Sequence, residues 1–302
     1  MPPMLGLKKP DPVKLRSSLQ ASSYIDVSKI AVPETVDWSG KVKAYGLYRN
    51  HEIGICGPAG CANMIRQWSA NDGQQIDLSQ ASVEQCYRDV GGWNGRDIGR
   101  GTDGGVDPIK LMNYWRNVGI GGRKIKAWLA IDPSDTKLVD ACLFLFGALA
   151  IGFNMPSVWQ ETIGQVWRGP RDPSRPPRGY EPGSWGGHFV VGSKAEKEDW
   201  EVATWAALQK VSGTGFRAYC MFLAVAISED WTGPDGKAPN GFDADLLARD
   251  LEHIEQGKPL EERPSEKDKP TNLYRTAANA VTSILGGKVE RVNDSEDRVK
   301  WA

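Results

Sequence analysis

Cys56 and His188 are the two residues whose type and setting best fit shared chemistry. Cys56 directly precedes Gly57-Pro58 and a helix-patterned run, so its thiol falls at the first turn of a helix. There, unpaired N–H groups and the helix dipole stabilise a thiolate. His188 follows the run Gly183-Ser184-Trp185-Gly186-Gly187 and opens a β-patterned stretch, Phe189-Val190-Val191-Gly192. A cysteine at a helix start and a distant histidine at a strand start are the two halves of a thiolate–imidazolium pair. In such a pair the imidazole acts first as base and then as acid. Asn50 stands ahead of Cys56, where its side-chain amide can donate to a developing oxyanion alongside the Cys56 backbone N–H. Taken singly, the ordinary readings are a turn asparagine, a structural thiol and a packed core histidine. The catalytic reading depends on their combination.

The elements that must position these groups can be read from periodicity and punctuation. Residues 1–30 read as a weakly structured arm, followed by strand and loop material over 32–55. The spacing predicts helices over 57–70, 79–90 and 107–118, the first carrying Pro58 in its opening turn. The Gly-rich segment 91–105 is loop. Strands are expected at 124–129, 148–153 and 216–225, a helix at 134–145, and a hairpin from 189–194 and 200–204. Helices early and antiparallel strands late make an α+β fold. Beyond Trp231, helices are expected at 242–256 and 272–285, joined by a charged, Pro-punctuated linker. The division is an N-terminal arm at 1–31, one main domain at 32–232 and a C-terminal helical extension and tail at 233–302.

The bulk properties narrow the class. Lys+Arg 37 against Asp+Glu 38 leaves a formal charge of −1, with no global pull toward nucleic acid or an anionic membrane. Hydrophobic content of 40% with 12 Trp describes a globular chain. The cysteines Cys56, Cys61, Cys86, Cys142 and Cys220 are odd in number and lack paired-ligand spacing. That composition argues against a disulfide framework or a zinc site and suits a reducing compartment. No cofactor or metal is expected. The N-terminus lacks the apolar stretch of a signal peptide and no run reaches spanning length, so the expectation is a soluble cytoplasmic protein. His51 and His253 read as surface residues, and Asp103 and Asp107 as turn-forming and N-cap residues. Arg168, Arg171, Arg175 and Arg178 fall in a Pro-rich loop before His188. A solvated surface loop is the ordinary reading, and a cleft border that favours acidic partners is the alternative.

The order of landmarks over roughly residues 32–232 resembles the papain-like cysteine peptidases. Val32-Pro33-Glu34-Thr35-Val36-Asp37-Trp38 is similar to that family's first strand, and Asn50 to Cys56 to its oxyanion-to-nucleophile segment. Asp77-Leu78-Ser79-Gln80 resembles a helix start in the family. Gly101-Thr102-Asp103-Gly104-Gly105 resembles the glycine wall of the cleft, Gly187-His188-Phe189 the histidine strand, and 200–205 the strand ending in Asn-Ser-Trp. More narrowly, the chain resembles papain-like proteins encoded by tailed bacteriophages. The resemblance implies a helical lobe packed on an antiparallel sheet lobe, with Gly104, Gly105 and Trp205 at the substrate cleft and Trp205 capping the imidazole. It also implies an orienter for His188; the strand offers Thr204, whose hydroxyl can accept, where the family has Asn. No inhibitory pro-segment of the family's usual size precedes Val32.

Two functions follow. The first is a hydrolase that cleaves peptide or isopeptide bonds through Cys56 and His188, with Asn50 at the oxyanion and Thr204 as orienter. The second is a catalytically weakened scaffold serving as a structural or interaction component of a phage particle, with the terminal extensions docking onto virion proteins. In that case the protein is virion-associated.

Overall fold

Every residue of α2 (Cys56–Asn71) is buried, and the elements around it follow from that. The structure, a computed structural model, describes residues 3–231 and 238–240; the helices expected at 242–256 and 272–285 lie outside the described residues. A helix buried on all sides must find partners for its polar side chains. In α2, Asn63 exchanges hydrogen bonds with the backbone of Gly46 at 2.7 and 2.9 Å. Gln67 donates to the Gly147 carbonyl at 2.6 Å, and Asn71 to the Trp38 carbonyl at 2.7 Å. Ala59, Cys61, Ala62, Met64, Ile65 and Trp68 fill the core between them.

The sheet is antiparallel throughout and runs in the order β2-β7-β3-β4-β5-β6, with β1 paired to the far end of β4. Its strands are β1 (Thr35–Asp37), β2 (Ile125–Ala130), β3 (Leu149–Met155), β4 (Gly186–Glu196), β5 (Asp199–Thr204), β6 (Ala207–Val211) and β7 (Cys220–Ser228). β4 lies inside the sheet, and Phe189, Val190 and Val191 are buried continuously, as expected of a strand covered on both faces. α2 packs directly on it: a Cβ at Gly60 would fall 2.2 Å from the Phe189 ring. Gly60 lies about one turn beyond Cys56, and Phe189 is the residue after His188. This close approach therefore holds the start of α2 against the stretch of β4 that carries His188.

The helices expected around α2 are present, with their caps. α3 (Gln80–Gly91) starts at Ser79, whose hydroxyl accepts from the Ser82 N–H. α4 (Pro108–Asn117) starts at Asp107, which accepts from Lys110. α5 (Thr136–Phe146) starts at Asp135. The architecture is the expected α+β, with helices against an antiparallel sheet. No helix among the described residues is long and apolar enough to cross a membrane.

Three local expectations need correction. The stretch 216–225, expected as one strand, begins as α6 (Gly213–Tyr219), because Ser212 caps Gly215 and buries Phe216 and Tyr219 on one helical face. Two glycines of low helix propensity hid that helix. β6 was not anticipated, since it turns Gln209 inward and Leu208 outward, against the usual alternation. The arm is ordered: α1 (Pro12–Ser17) is capped by Asp11, and Leu7, Ala21 and Ile25 are buried.

Candidate active site

Cys56 is the first residue of α2, and its side chain is wholly buried. Its sulfur accepts from the Phe189 N–H at 3.4 Å, one residue along β4 from His188. The amides of Gly6, Gly57 and Cys56 itself also face it. Gly54, two residues earlier, donates its N–H to Asp103 Oδ1 at 2.8 Å. That carboxylate also accepts from the Tyr87 hydroxyl at 2.5 Å, while its second oxygen accepts from the Gly99 N–H at 2.7 Å. Tyr87 in turn accepts from the Gly105 N–H at 3.0 Å. Asp103, expected to form a turn, is thus a buried node tying the Gly-rich loop to the segment leading into Cys56.

His188 is fully buried, and its Nε2 lies 2.6 Å from Thr204 Oγ1. Nδ1 has no hydrogen-bond partner among the described residues. Trp205 stacks on the imidazole with ring centroids 4.5 Å apart and an interplanar angle of 23°. It sits there because the β5–β6 hairpin turns through Trp205 and Ala206, both at positive φ (47° and 61°). Two-residue hairpin turns of this hand favour Asn and Gly, so two non-glycine residues here store backbone strain. The sequence carries no turn signal at that point.

Asn50 is buried, and its Oδ1 has no hydrogen-bond partner among the described residues. Tyr48 and Arg49, immediately before it, both adopt positive φ (48° and 56°). Arg49 is held by Glu52 at 2.9 Å and Glu84 at 3.3 Å. Gly104 is exposed, whereas Gly105 is buried.

The main feature that sequence reasoning missed is what covers the sulfur. Residues 4–8 run through the slot between the Gly-rich loop and β4. Leu7 donates to the Gly187 carbonyl at 2.9 Å, Val106 donates to the Gly6 carbonyl at 2.8 Å, and Lys8 donates to the Val106 carbonyl at 2.8 Å. Leu7 and Val106 thereby pair in parallel. The slot accepts backbone because it is built of glycine: a Cβ at Gly105 would fall 2.1 Å from the Gly6 carbonyl oxygen, and one at Gly187 2.0 Å from that of Leu7. The readable signal was Met4-Leu5-Gly6-Leu7, an apolar run in an otherwise polar arm.

Burial bears on the ionisation of both groups. Burial pushes the Cys56 thiol up to about 11, against the smaller lowering effect of the surrounding amides. Burial pulls His188 down to about 3. Desolvation disfavours both charged forms, so the closed site holds a neutral thiol and a neutral imidazole. The same burial works against the thiolate expected from the helix start alone. Among the described residues no group of three or more His, Cys, Asp or Glu is arranged to hold a metal ion.

This arrangement of helices and sheet is similar to that of xylellain, a cysteine protease from Xylella fastidiosa. The TM-score is 0.56 at 14% identity, covering 75% of this chain and 96% of that one. The fold is papain-like. Lower-scoring similarities include a procathepsin B from Trypanosoma congolense, with a TM-score of 0.49 at 13% identity over 74% of this chain and 87% of that one. A cysteine protease from Carica candamarcensis gives 0.46 at 14% identity over 65% and 99%. No protein-family model and no curated protein matches the chain. Within the papain-like fold, Cys56 heads the central helix, and His188 and Thr204 lie on the adjacent strands β4 and β5.

Proposed function

We propose that the chain is a cysteine peptidase held closed by its own N-terminal arm. The observation that carries this reading is the seating of the Cys56 sulfur against β4 one residue from an imidazole whose far nitrogen is tied to Thr204. With Nε2–H donating to Thr204, Nδ1 keeps the lone pair and serves as the base. Once the arm leaves, water and substrate enter, the desolvation that raises the thiol is relieved, and the proton passes from sulfur to Nδ1. The sulfur attacks the scissile carbonyl. The oxyanion is held by the Cys56 N–H and by the Asn50 side-chain amide, and His188 returns its proton to the leaving amine. Water then attacks the thioester, giving its proton to His188, and releases the acid. Peptide or protein substrates, a reducing compartment and no cofactor complete the reading; all five cysteines being free thiols supports the compartment.

A second reading keeps the fold without the chemistry, and the uncharged thiol and imidazole favour it. Docking to virion proteins, which the phage resemblance implies, would fall largely on 241–302, outside the described residues.

Iodoacetamide labelling at pH 6 separates the two readings. The intact chain should label slowly at Cys56. Leu7→Asp, which puts a charge where Leu7 is buried, should label much faster and hydrolyse an unstructured peptide. Fast labelling without hydrolysis would leave the scaffold reading, and slow labelling of both forms would remove the arm-closed site.

A further inference from the structure

Resting on the peptidase reading above, we infer that the loop over 168–178 recognises an acidic segment of the peptide substrate. Arg168, Arg171, Arg175 and Arg178 are all exposed. None of them pairs with a carboxylate among the described residues. The two acids within reach along the chain are already engaged: Asp172 accepts from the Ser174 N–H at 2.9 Å and its hydroxyl at 2.6 Å, and Glu181 accepts from the Gly179 N–H at 2.7 Å.

The loop is braced. At its start, Trp159 donates its indole N–H to the Arg168 carbonyl at 3.0 Å and stacks on Trp167 with centroids 4.7 Å apart. At its end, Tyr219 donates to the Tyr180 carbonyl at 2.8 Å, and Gly183 and Trp185 donate to the backbone of Asn154 and Met155. Pro170, Pro173, Pro176 and Pro177 fix φ between the arginines, so less chain entropy is lost when a ligand binds.

Its position points to substrate. The loop leads directly into Gly186-Gly187-His188, and Trp185 lies 5.9 Å from Trp205, which covers the imidazole. Trp167, just before the loop, also meets Trp205, with ring centroids 6.0 Å apart, so the loop is bracketed by two residues that touch the cover of the imidazole. Guanidinium forks pair with carboxylates, and the stretch 168–178 has no aromatic residue on which a nucleic-acid base could stack.

The test uses the full-length chain and two labelled peptides sharing an apolar core, one flanked by Asp-Glu-Asp-Glu and the other by Asn-Gln-Asn-Gln. Anisotropy titrations with the arm-released, inactive chain Leu7→Asp/Cys56→Ala should show the acidic peptide binding roughly tenfold tighter at low salt, with the advantage fading as salt rises. The triple variant Arg171→Gln/Arg175→Gln/Arg178→Gln should lose it. In the Leu7→Asp chain, kcat/KM should favour the acidic peptide by a similar factor when its run lies on one flank and not the other. Equal binding and equal hydrolysis of the two peptides would overturn this inference and leave the peptidase standing. Selective binding without hydrolysis of either peptide would do the reverse. Tighter binding of a single-stranded RNA of matched charge would also overturn it.

Discussion

The sulfur and the imidazole are held in opposite ways. Cys56 sits at the end of a helix anchored by Asn63, Gln67, Trp68 and Asn71 to three different backbone segments, at Gly46, at Phe146-Gly147 and at Trp38, and pressed onto β4 through Gly60. No single contact there is indispensable to where the sulfur lies. The tilt of His188 depends on one side-chain hydrogen bond, to Thr204, and one stacked ring, Trp205, carried on a strained turn. Placement of the sulfur is a consequence of overall packing, whereas orientation of the imidazole is local. Substitutions on the helix side should therefore act through stability, and those on the imidazole side through rate.

The largest expected effect separates the nucleophile from its scaffold. In the arm-released Leu7→Asp chain, Cys56→Ala should reduce peptide hydrolysis by about 10⁴-fold or more. It should move the urea midpoint little, because the sulfur contributes hydrogen bonds only as an acceptor of weak contacts. Gly60→Ala probes the other quantity. With a Cβ 2.2 Å from the Phe189 ring, it should cost about 1–3 kcal/mol in chemical denaturation. Unchanged stability would mean that α2 is less tightly seated than described.

Thr204→Val tests the imidazole side. It should lower kcat by roughly 10–100-fold with a smaller change in KM, while Thr204→Ser retains most of the rate. A loss confined to melting temperature would show Thr204 to be structural.

The ionisation states predict how the intact chain responds to pH. His188 is held near 3 when folded, below its ordinary 6.5, so the unfolded chain binds more protons between those values. Its contribution to stability is present above pH 6.5 and is lost as pH falls toward 3. Cys56, raised from 9 to about 11, behaves oppositely: its contribution is full below pH 9 and is lost as pH climbs toward 11. Thermal melts across pH should show both flanks, and His188→Gln should flatten the acid one. The smallest effect is expected at His51, which is exposed and whose ring lies 3.2 Å from the Glu52 carboxylate. His51→Ala should change stability by less than about 0.5 kcal/mol.

Much of this was legible in the chain because the signals are local. Ser79 and Asp107 mark helix starts through capping, and Pro58 through the N–H it lacks, signals that depend on a few neighbouring residues. The run from Phe189 to Val191 marks a buried strand in the same way. Cys56, His188, Asn50 and Thr204 could be picked out because each stands beside such a landmark. Trp205 was harder to place, since its turn runs against its own residue preferences. Asp103 appeared as an ordinary turn residue because its partners, Gly54 and Tyr87, are distant in sequence.

By itself, the sequence determined which residues could act and on which elements they ride, since helix starts and strand periods are set within a few residues. Only the tertiary structure decided that Gly6 and Leu7 fill the glycine slot beside the sulfur, and that sulfur and imidazole are both buried, which disfavours their charged forms. Protonation depends on which groups exclude water from a site. Here those groups come from the arm, the Gly-rich loop and β4, segments that only folding brings together.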